Sequence, residues 1–227
     1  MSIISIFDNS ASSYDSRNQK LSYIKNNLHN LMEVVFSELP ENANILCVGA
    51  GTGIEILYLA KVFPNFSFTA VDPSEKMLDI AKKNISEAGF IKRCTFHNGY
   101  LESLQTKTKY DGATSILVSQ FILDEQARIN FFKEIRNYLK NDGLLINVDL
   151  SSNKENYETL LKYWVALFNE NKVSNEQVAK MKETYASSVG ILPIKKVEEI
   201  IEKSGFKNVN LFFQSLLMHG WICKTLK

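Results

Sequence analysis

The stretch CVGAGTGIEI, Cys47 to Ile56, restricts this chain more than any other. Gly49, Gly51 and Gly53 alternate with small residues, directly after an apolar run and directly before helix-like spacing. Glycine supplies backbone conformations that other residues avoid. It also lets the chain approach a ligand at the mouth of a parallel sheet. A dinucleotide turn needs Gly-x-Gly-x-x-Gly, and Ile54 stands where its last glycine would be. No Gly-Lys-Ser/Thr follows, so a phosphate loop of that type is excluded.

The pattern around the turn predicts a fold. Leu21, Ile24, Leu28, Leu31, Val35 and Leu39 lie on one helical face between Asn18 and Leu39, and Pro40 ends it. NILCVG is a short buried strand, TGIEILYLAKVF a helix, and FSFTAVD a second strand ending at Asp72. SEKMLDIAKKNISEAG is a helix with Ser74 as N-cap and Gly89 as stop. CTFHNG is a third strand, and a fourth runs over 112–118. DEQARINFFKEIRNYLKNDG reads as a helix, acidic at its start, basic near its end and closed by Gly143. GLLINVDL is the fifth strand. Such alternation argues for a parallel sheet with helices on both faces. Residues 153–188 are helical and mixed polar, and LPIKKVEEIIEKSGF is one further helix. Two late strands follow, with a break around Gln214 and Ser215.

Composition excludes several classes. A net charge of +1 predicts no general grip on DNA or on a membrane surface. No apolar run is long enough to span a bilayer, and MSIISIFDNS does not read as a secretion signal. Cys47, Cys94 and Cys223 are odd in number and widely spaced, which fits reduced thiols in the cytoplasm. His29, His97 and His219 are scattered, so no metal site is expected.

The spacing Gly-x-Gly-x-Gly is that of S-adenosylmethionine (SAM) enzymes. Asp72, about 20 residues beyond the turn at the end of the second strand, is placed to accept the ribose hydroxyls of an adenosine. ILCVGAGTGIEILYLA, FTAVDPSEKML, CTFHNGYLESL and YDGATSILVSQFIL resemble the successive motifs of class I SAM-dependent methyltransferases. The resemblance implies an α/β, Rossmann-like, seven-stranded and mostly parallel sheet with an antiparallel last strand. It implies one domain: a helical cap over 1–40, a core over 41–150, a helical lid for the acceptor over 151–190, and a closing helix and last strands over 191–227. It also implies a site. Gly49, Ala50 and Gly51 would line the methionine end of SAM, and Gly53 would permit the close turn. Asp72 would hold the ribose, with Pro73, Ser74 and Met77 flanking the adenine. Asn98, Gly99 and Tyr100 replace the acid that many members carry after the third strand. Val118, Ser119 and Gln120 would form the wall near the transferred methyl. FDNSASSYDSR resembles a segment preceding the first helix, whose tyrosine, here Tyr14, closes over the cofactor. Arg17 is a candidate partner for a carboxylate.

Displacement at a sulfonium mainly requires alignment and exclusion of water, so no catalytic residue need be visible. His97 and His219 are candidate bases, though isolated histidines on strands are more often structural. No Asp/Asn-Pro-Pro-Tyr/Phe motif follows the fourth strand and no Pro-Cys pair exists, which argues against nucleobase amino and cytosine C5 methylation. A small-molecule acceptor is expected, with tRNA less favoured. Tyr157, Tyr163, Trp164, Phe168 and Tyr185 are candidates for its pocket, or for helix core. The N-terminal helix and the lid offer apolar faces for a homodimer. Two rival readings stand. The C-terminal run with GF…LFFQS is similar to carboxy-S-adenosylmethionine synthases. These hold their extra carboxylate with a lid arginine, but no arginine lies between Asn153 and Pro193 here. Lys180, Lys182 or Arg17 would have to serve instead. A non-catalytic SAM-binding subunit would show the same glycine turn.

Overall fold

The computed structural model describes residues 3–169 and 173–226, so 170–172, within the helical stretch expected over 153–188, lie outside the described residues. Five parallel strands carry the site: β1 (Asn44–Val48), β2 (Ser67–Asp72), β3 (Cys94–Asn98), β4 (Tyr110–Ile116) and β5 (Leu139–Leu150). Strands β6 (Lys207–Ser215) and β7 (Met218–Lys224) complete a seven-stranded sheet of order β3-β2-β1-β4-β5-β7-β6, with β7 antiparallel to both neighbours. The expected topology is therefore the observed one. Its strand order reverses beside β1, between β2 and β4, and the glycine turn leaves the sheet at this crevice.

Residues of β1 alternate between two cores. Ile45 and Cys47 join the side chains under α2 (Ser22–Phe36), α3 (Ile54–Val62) and α4 (Glu75–Glu87). Leu46 and Val48 join those under α5 (Glu125–Tyr138) and α8 (Ile194–Lys203). Burial on both faces explains why these strands read as continuous apolar runs. Ser74 caps α4 by accepting the Met77 N–H at 3.3 Å, and Asp124 caps α5 by accepting that of Ala127 at 2.7 Å.

Two expectations need correction. FDNSASSYDSR lies within a first helix of the expected helical cap rather than before it: α1 (Ile3–Arg17) precedes a 3-10 turn at Gln19–Leu21, and α2 is a second, separate helix. Ile3, Ile4, Phe7, Ala11 and Tyr14 do share one helical face, but serine and asparagine between them lower the local propensity. Packing of α1 on α4 supplies what propensity lacks. Helix α5 stops at Tyr138 rather than near Gly143, because Leu139 pairs with Tyr110 and starts β5. Helices α6 (Lys154–Leu167) and α7 (Asn175–Ser188) follow β5. Among the described residues no helix is long and apolar enough to cross a membrane, and no three His, Cys, Asp or Glu residues group as a metal site would require.

Candidate functional site

The turn after β1 is built from its own backbone. The N–H groups of Gly49 and Ala50 both donate to the Val71 carbonyl, at 2.8 and 3.1 Å, which ties the turn to β2. Gly49 has φ +71°, and a side chain there would bring its Cβ to 2.3 Å from Val118 Cγ2. Gly51 has φ +53°, but nothing lies within 4 Å of where its Cβ would be. The first glycine is thus required by the protein itself. The second faces open space, as expected where backbone meets a ligand. Gly53 does a different job: its missing side chain lets α3 approach Ala81 and Ile85 of α4.

Asp72 closes the turn from the end of β2. Its Oδ2 accepts the Gly51 N–H at 2.8 Å and its Oδ1 accepts the Ser74 N–H at 2.8 Å. Burial raises its pKa, the two backbone donors counter this, and nearby Asp8 adds to the rise. Each carboxylate oxygen keeps a second lone pair for a further donor.

A cavity of about 440 Å³ opens in front of this turn. Of the residues expected to bind cofactor, Tyr14, Gly49, Gly51, Asp72, Pro73, Ser74, Met77, Gly99, Tyr100 and Val118 line it. Ala50, Gly53, Asn98, Ser119 and Gln120 do not. Ala50 is buried in the core. Asn98 uses its amide to donate to the Asp72 and Pro73 carbonyls, at 3.2 and 3.3 Å, and so holds the β2–α4 connection. Ser119 and Gln120 turn away into a buried polar cluster. Ser119 Oγ donates to Asp149 Oδ2 at 2.7 Å, while Gln120 accepts the Leu150 N–H at 2.6 Å. Sequence placed them correctly at the end of β4 but could not show that Asp149 of β5 would claim them.

The remaining wall is apolar and largely missed by sequence reasoning. Helix α1 contributes Ile3, Ile4 and Phe7, and the segment that follows β4 contributes Leu117, Phe121 and Ile122. Phe7 packs edge-on against Phe121, with ring centres 5.5 Å apart. Two hydrogen bonds dock α1 over the turn: Ser74 Oγ donates to Asp8 at 2.6 Å and Thr52 Oγ1 donates to Asp15 at 2.8 Å. Leu117 has φ +59°, unusual for a residue with a side chain, and its strain is held by a 2.6 Å hydrogen bond to the Val148 carbonyl. The signal available in sequence was the helical spacing of Ile3, Phe7 and Tyr14.

Among the described residues no Lys, Arg or His lines the cavity, and the ionisable groups that do are Tyr14, Asp72, Tyr100 and Glu102. Burial raises the Tyr14 pKa, and Asp15, Asp72 and Glu55 raise it further. Beneath the turn, Glu55 is buried, and desolvation lifts its pKa to about 7. The Thr114 hydroxyl, donating at 2.6 Å, and the Cys47 thiol restrain the rise, and Asp72 adds to it. The candidate bases lie elsewhere: His97 pairs with Ser103 Oγ at 2.8 Å, and His219 is buried beside the Leu217 carbonyl at 3.0 Å. None of the described residues of 153–188 lines the cavity. Trp164 instead donates to the Tyr185 hydroxyl at 2.8 Å and packs against Phe168, Tyr157 packs on the core, and Tyr163 is exposed.

Comparison with known proteins agrees with this geometry. Residues 45–143 match the methyltransferase domain family. Over 219 residues the chain is 24% identical to a carboxy-S-adenosyl-L-methionine synthase of Nautilia profundicola, covering 93% of this chain and 87% of that one. Over 143 residues it is 32% identical to a malonyl-[acyl-carrier protein] O-methyltransferase of Bacillus cereus, covering 62% of this chain and 49% of that one. Among solved structures, a SAM-dependent methyltransferase from Clostridium acetobutylicum shares the fold at TM-score 0.62 and 15% identity, covering 88% of this chain and 90% of that one. An O-methyltransferase family 2 protein from Planctomyces limnophilus does so at TM-score 0.66 and 16% identity, covering 100% of this chain and 62% of that one.

Proposed function

The chain belongs to the class I SAM-dependent methyltransferase family, and on that premise we propose that it methylates a small, uncharged and largely apolar acceptor held under α1. The observation that carries this reading is the cavity itself, where the glycine turn and Asp72 meet a wall of aliphatic and aromatic side chains with no cation among the described residues.

The residues present fit SAM. Asp72 has lone pairs free for two ribose hydroxyls while it keeps both backbone donors. The open face of Gly51 admits the methionine portion, and Pro73, Met77 and Tyr100 offer apolar surface to the adenine. When bound, SAM supplies a methyl group already activated by its sulfonium. Phe7, Phe121, Val118 and Ile122 keep water from the acceptor side and orient an apolar molecule there. Tyr14, its pKa raised, stays a protonated phenol, and Glu102 is the acidic side chain left on the wall besides Asp72, so an acceptor with a free lone pair that needs no base suits the site best.

The full-length similarity to a carboxy-SAM synthase favours a second reading, that of an enzyme acting on SAM itself. A carboxylated cofactor calls for a cation, and among the described residues none lines the cavity; Lys25 lies behind its wall, 6.0 Å from the centre of the Tyr14 ring. Arg17, Lys180 and Lys182 are exposed, and Lys182 pairs with Glu158. Arg128 is buried against Asp149. The methyltransferase reading is therefore preferred. It includes a cytoplasmic setting, supported by three free cysteines, and a small-molecule acceptor in preference to tRNA, with DNA set aside, supported by the small apolar cavity. The apolar surface of Ile6, Tyr23 and Val34 supports self-association.

Mass spectrometry of the ligand retained on purification, with titration of SAM, S-adenosylhomocysteine and carboxy-SAM, tests the proposal. Preference for the first two supports methyl transfer. Retained carboxy-SAM would replace it with the second reading.

A further inference from the structure

Glu55 is a buried carboxyl in the first turn of α3, directly behind the glycine turn. Among the described residues it joins no ion pair with Lys, Arg or His. The groups that act on it are neutral or acidic: the Cys47 thiol of β1, the Thr114 hydroxyl of β4, the Asp72 carboxylate of β2, and Tyr14 of α1, whose own titration feels Glu55; α2 and α4 also pack on α3, and Lys25 of α2 lies 6.0 Å from the centre of the Tyr14 ring. Two of these, Asp72 and Tyr14, line the cavity. A buried carboxyl without a counter-ion stays neutral unless positive charge arrives. The cofactor proposed above brings a sulfonium and an ammonium group against a single carboxylate, a net positive charge, and among the described residues the nearby cation is Lys25, which forms no ion pair with Glu55.

We propose that Glu55 is a charge-matching positioning residue: a neutral acid beneath the turn in the ligand-free protein, it releases its proton to solvent when the cationic cofactor binds. The inference rests on the SAM reading. The O–H bond of the carboxyl breaks, the proton leaves to water, and the carboxylate formed balances cofactor charge through the turn. Its ligand-free pKa of about 7 puts the change in a measurable window. Bound cation lowers that pKa, so affinity rises with pH up to about 7 and then levels. Asp72, its pKa also raised by burial and itself on the cavity wall, contributes its own slope.

The test is calorimetric titration of SAM from pH 5.5 to 7.5, in buffers of differing ionisation enthalpy, on wild type and Glu55→Gln. Wild type should release protons near pH 6.5 and bind about tenfold more tightly at the top of the range, as a one-unit change in pKa implies. Glu55→Gln should lose most of that release and bind more weakly at pH 7.5. Identical proton release and affinity in the two proteins would overturn the proposal. A measurement on wild type alone covers a misfolded variant: the infrared band of a protonated carboxyl at pH 6.5 should shrink on adding SAM, and an unchanged band would overturn it. Absence of SAM binding in wild type at every pH would instead remove the cofactor reading.

Discussion

Two buried acidic centres sit side by side at the carboxyl edge of the sheet, and they are built on opposite principles. At the end of β5, Asp149 is fully enclosed and answered. Arg128 pairs with it at 2.9 Å, and Ser119, Asn147 and the Gln120 N–H all donate to it. At the ends of β1 and β2, Glu55 and Asp72 are also buried, yet they meet only hydroxyl, thiol and backbone donors. Both of their pKa values rise. The paired centre fastens β4, α5 and β5 to one another. The unpaired centre keeps negative character beside a cavity, which suits a cationic ligand.

The comparison can be broken most severely at Arg128. Replacing it with methionine leaves Asp149 buried with no cation and should cost about 3–5 kcal/mol of stability in urea unfolding. A loss below about 1 kcal/mol would mean that the pair contributes little and that the two centres do not differ in kind.

Glu55 should behave in the opposite sense. Its folded pKa of about 7 lies above the ordinary 4.5, so the folded protein holds this proton more tightly than the unfolded chain does. The stability it confers is present below pH 4.5 and is lost as pH rises towards 7. The stability of wild type relative to Glu55→Gln should fall by about 3 kcal/mol over that window, read by thermal unfolding without ligand. A flat difference would show that Glu55 is solvated or paired in solution.

Gly49 and Gly51 sharpen the contrast at the turn. Gly49→Ala forces Cβ against Val118 in a left-handed conformation and should cost about 1–3 kcal/mol of stability as well as ligand affinity. Gly51→Ala meets only open space, so its stability cost should be about 1 kcal/mol while SAM affinity falls more. Equal affinity losses with equal stability losses would mean that Gly51 is structural too.

Much of this molecule was legible because local and global signals agree. β1, the glycines, α3, β2 with Asp72, and the Ser74 cap each follow from spacing and turn chemistry within a short stretch. What stayed hidden depends on partners distant in sequence. Helix α1 is held by Asp8 on Ser74 and Asp15 on Thr52, contacts that no local pattern reports. Ser119 and Gln120 were assigned to the cavity wall, but the buried charge of Asp149 turned them inward. Glu55 looked like an ordinary acidic residue in a first helical turn, and only its burial against Cys47 and Thr114 sets it apart.

The central claim is that the turn and Asp72 together hold SAM. Its most direct test is titration of SAM at pH 7.5 into wild type and Asp72→Asn, with thermal unfolding to confirm that both are folded. The account predicts binding by wild type and at least about tenfold weaker binding by the variant, since hydrogen bonds to a charged carboxylate are lost. Equal affinity in the two proteins would contradict it.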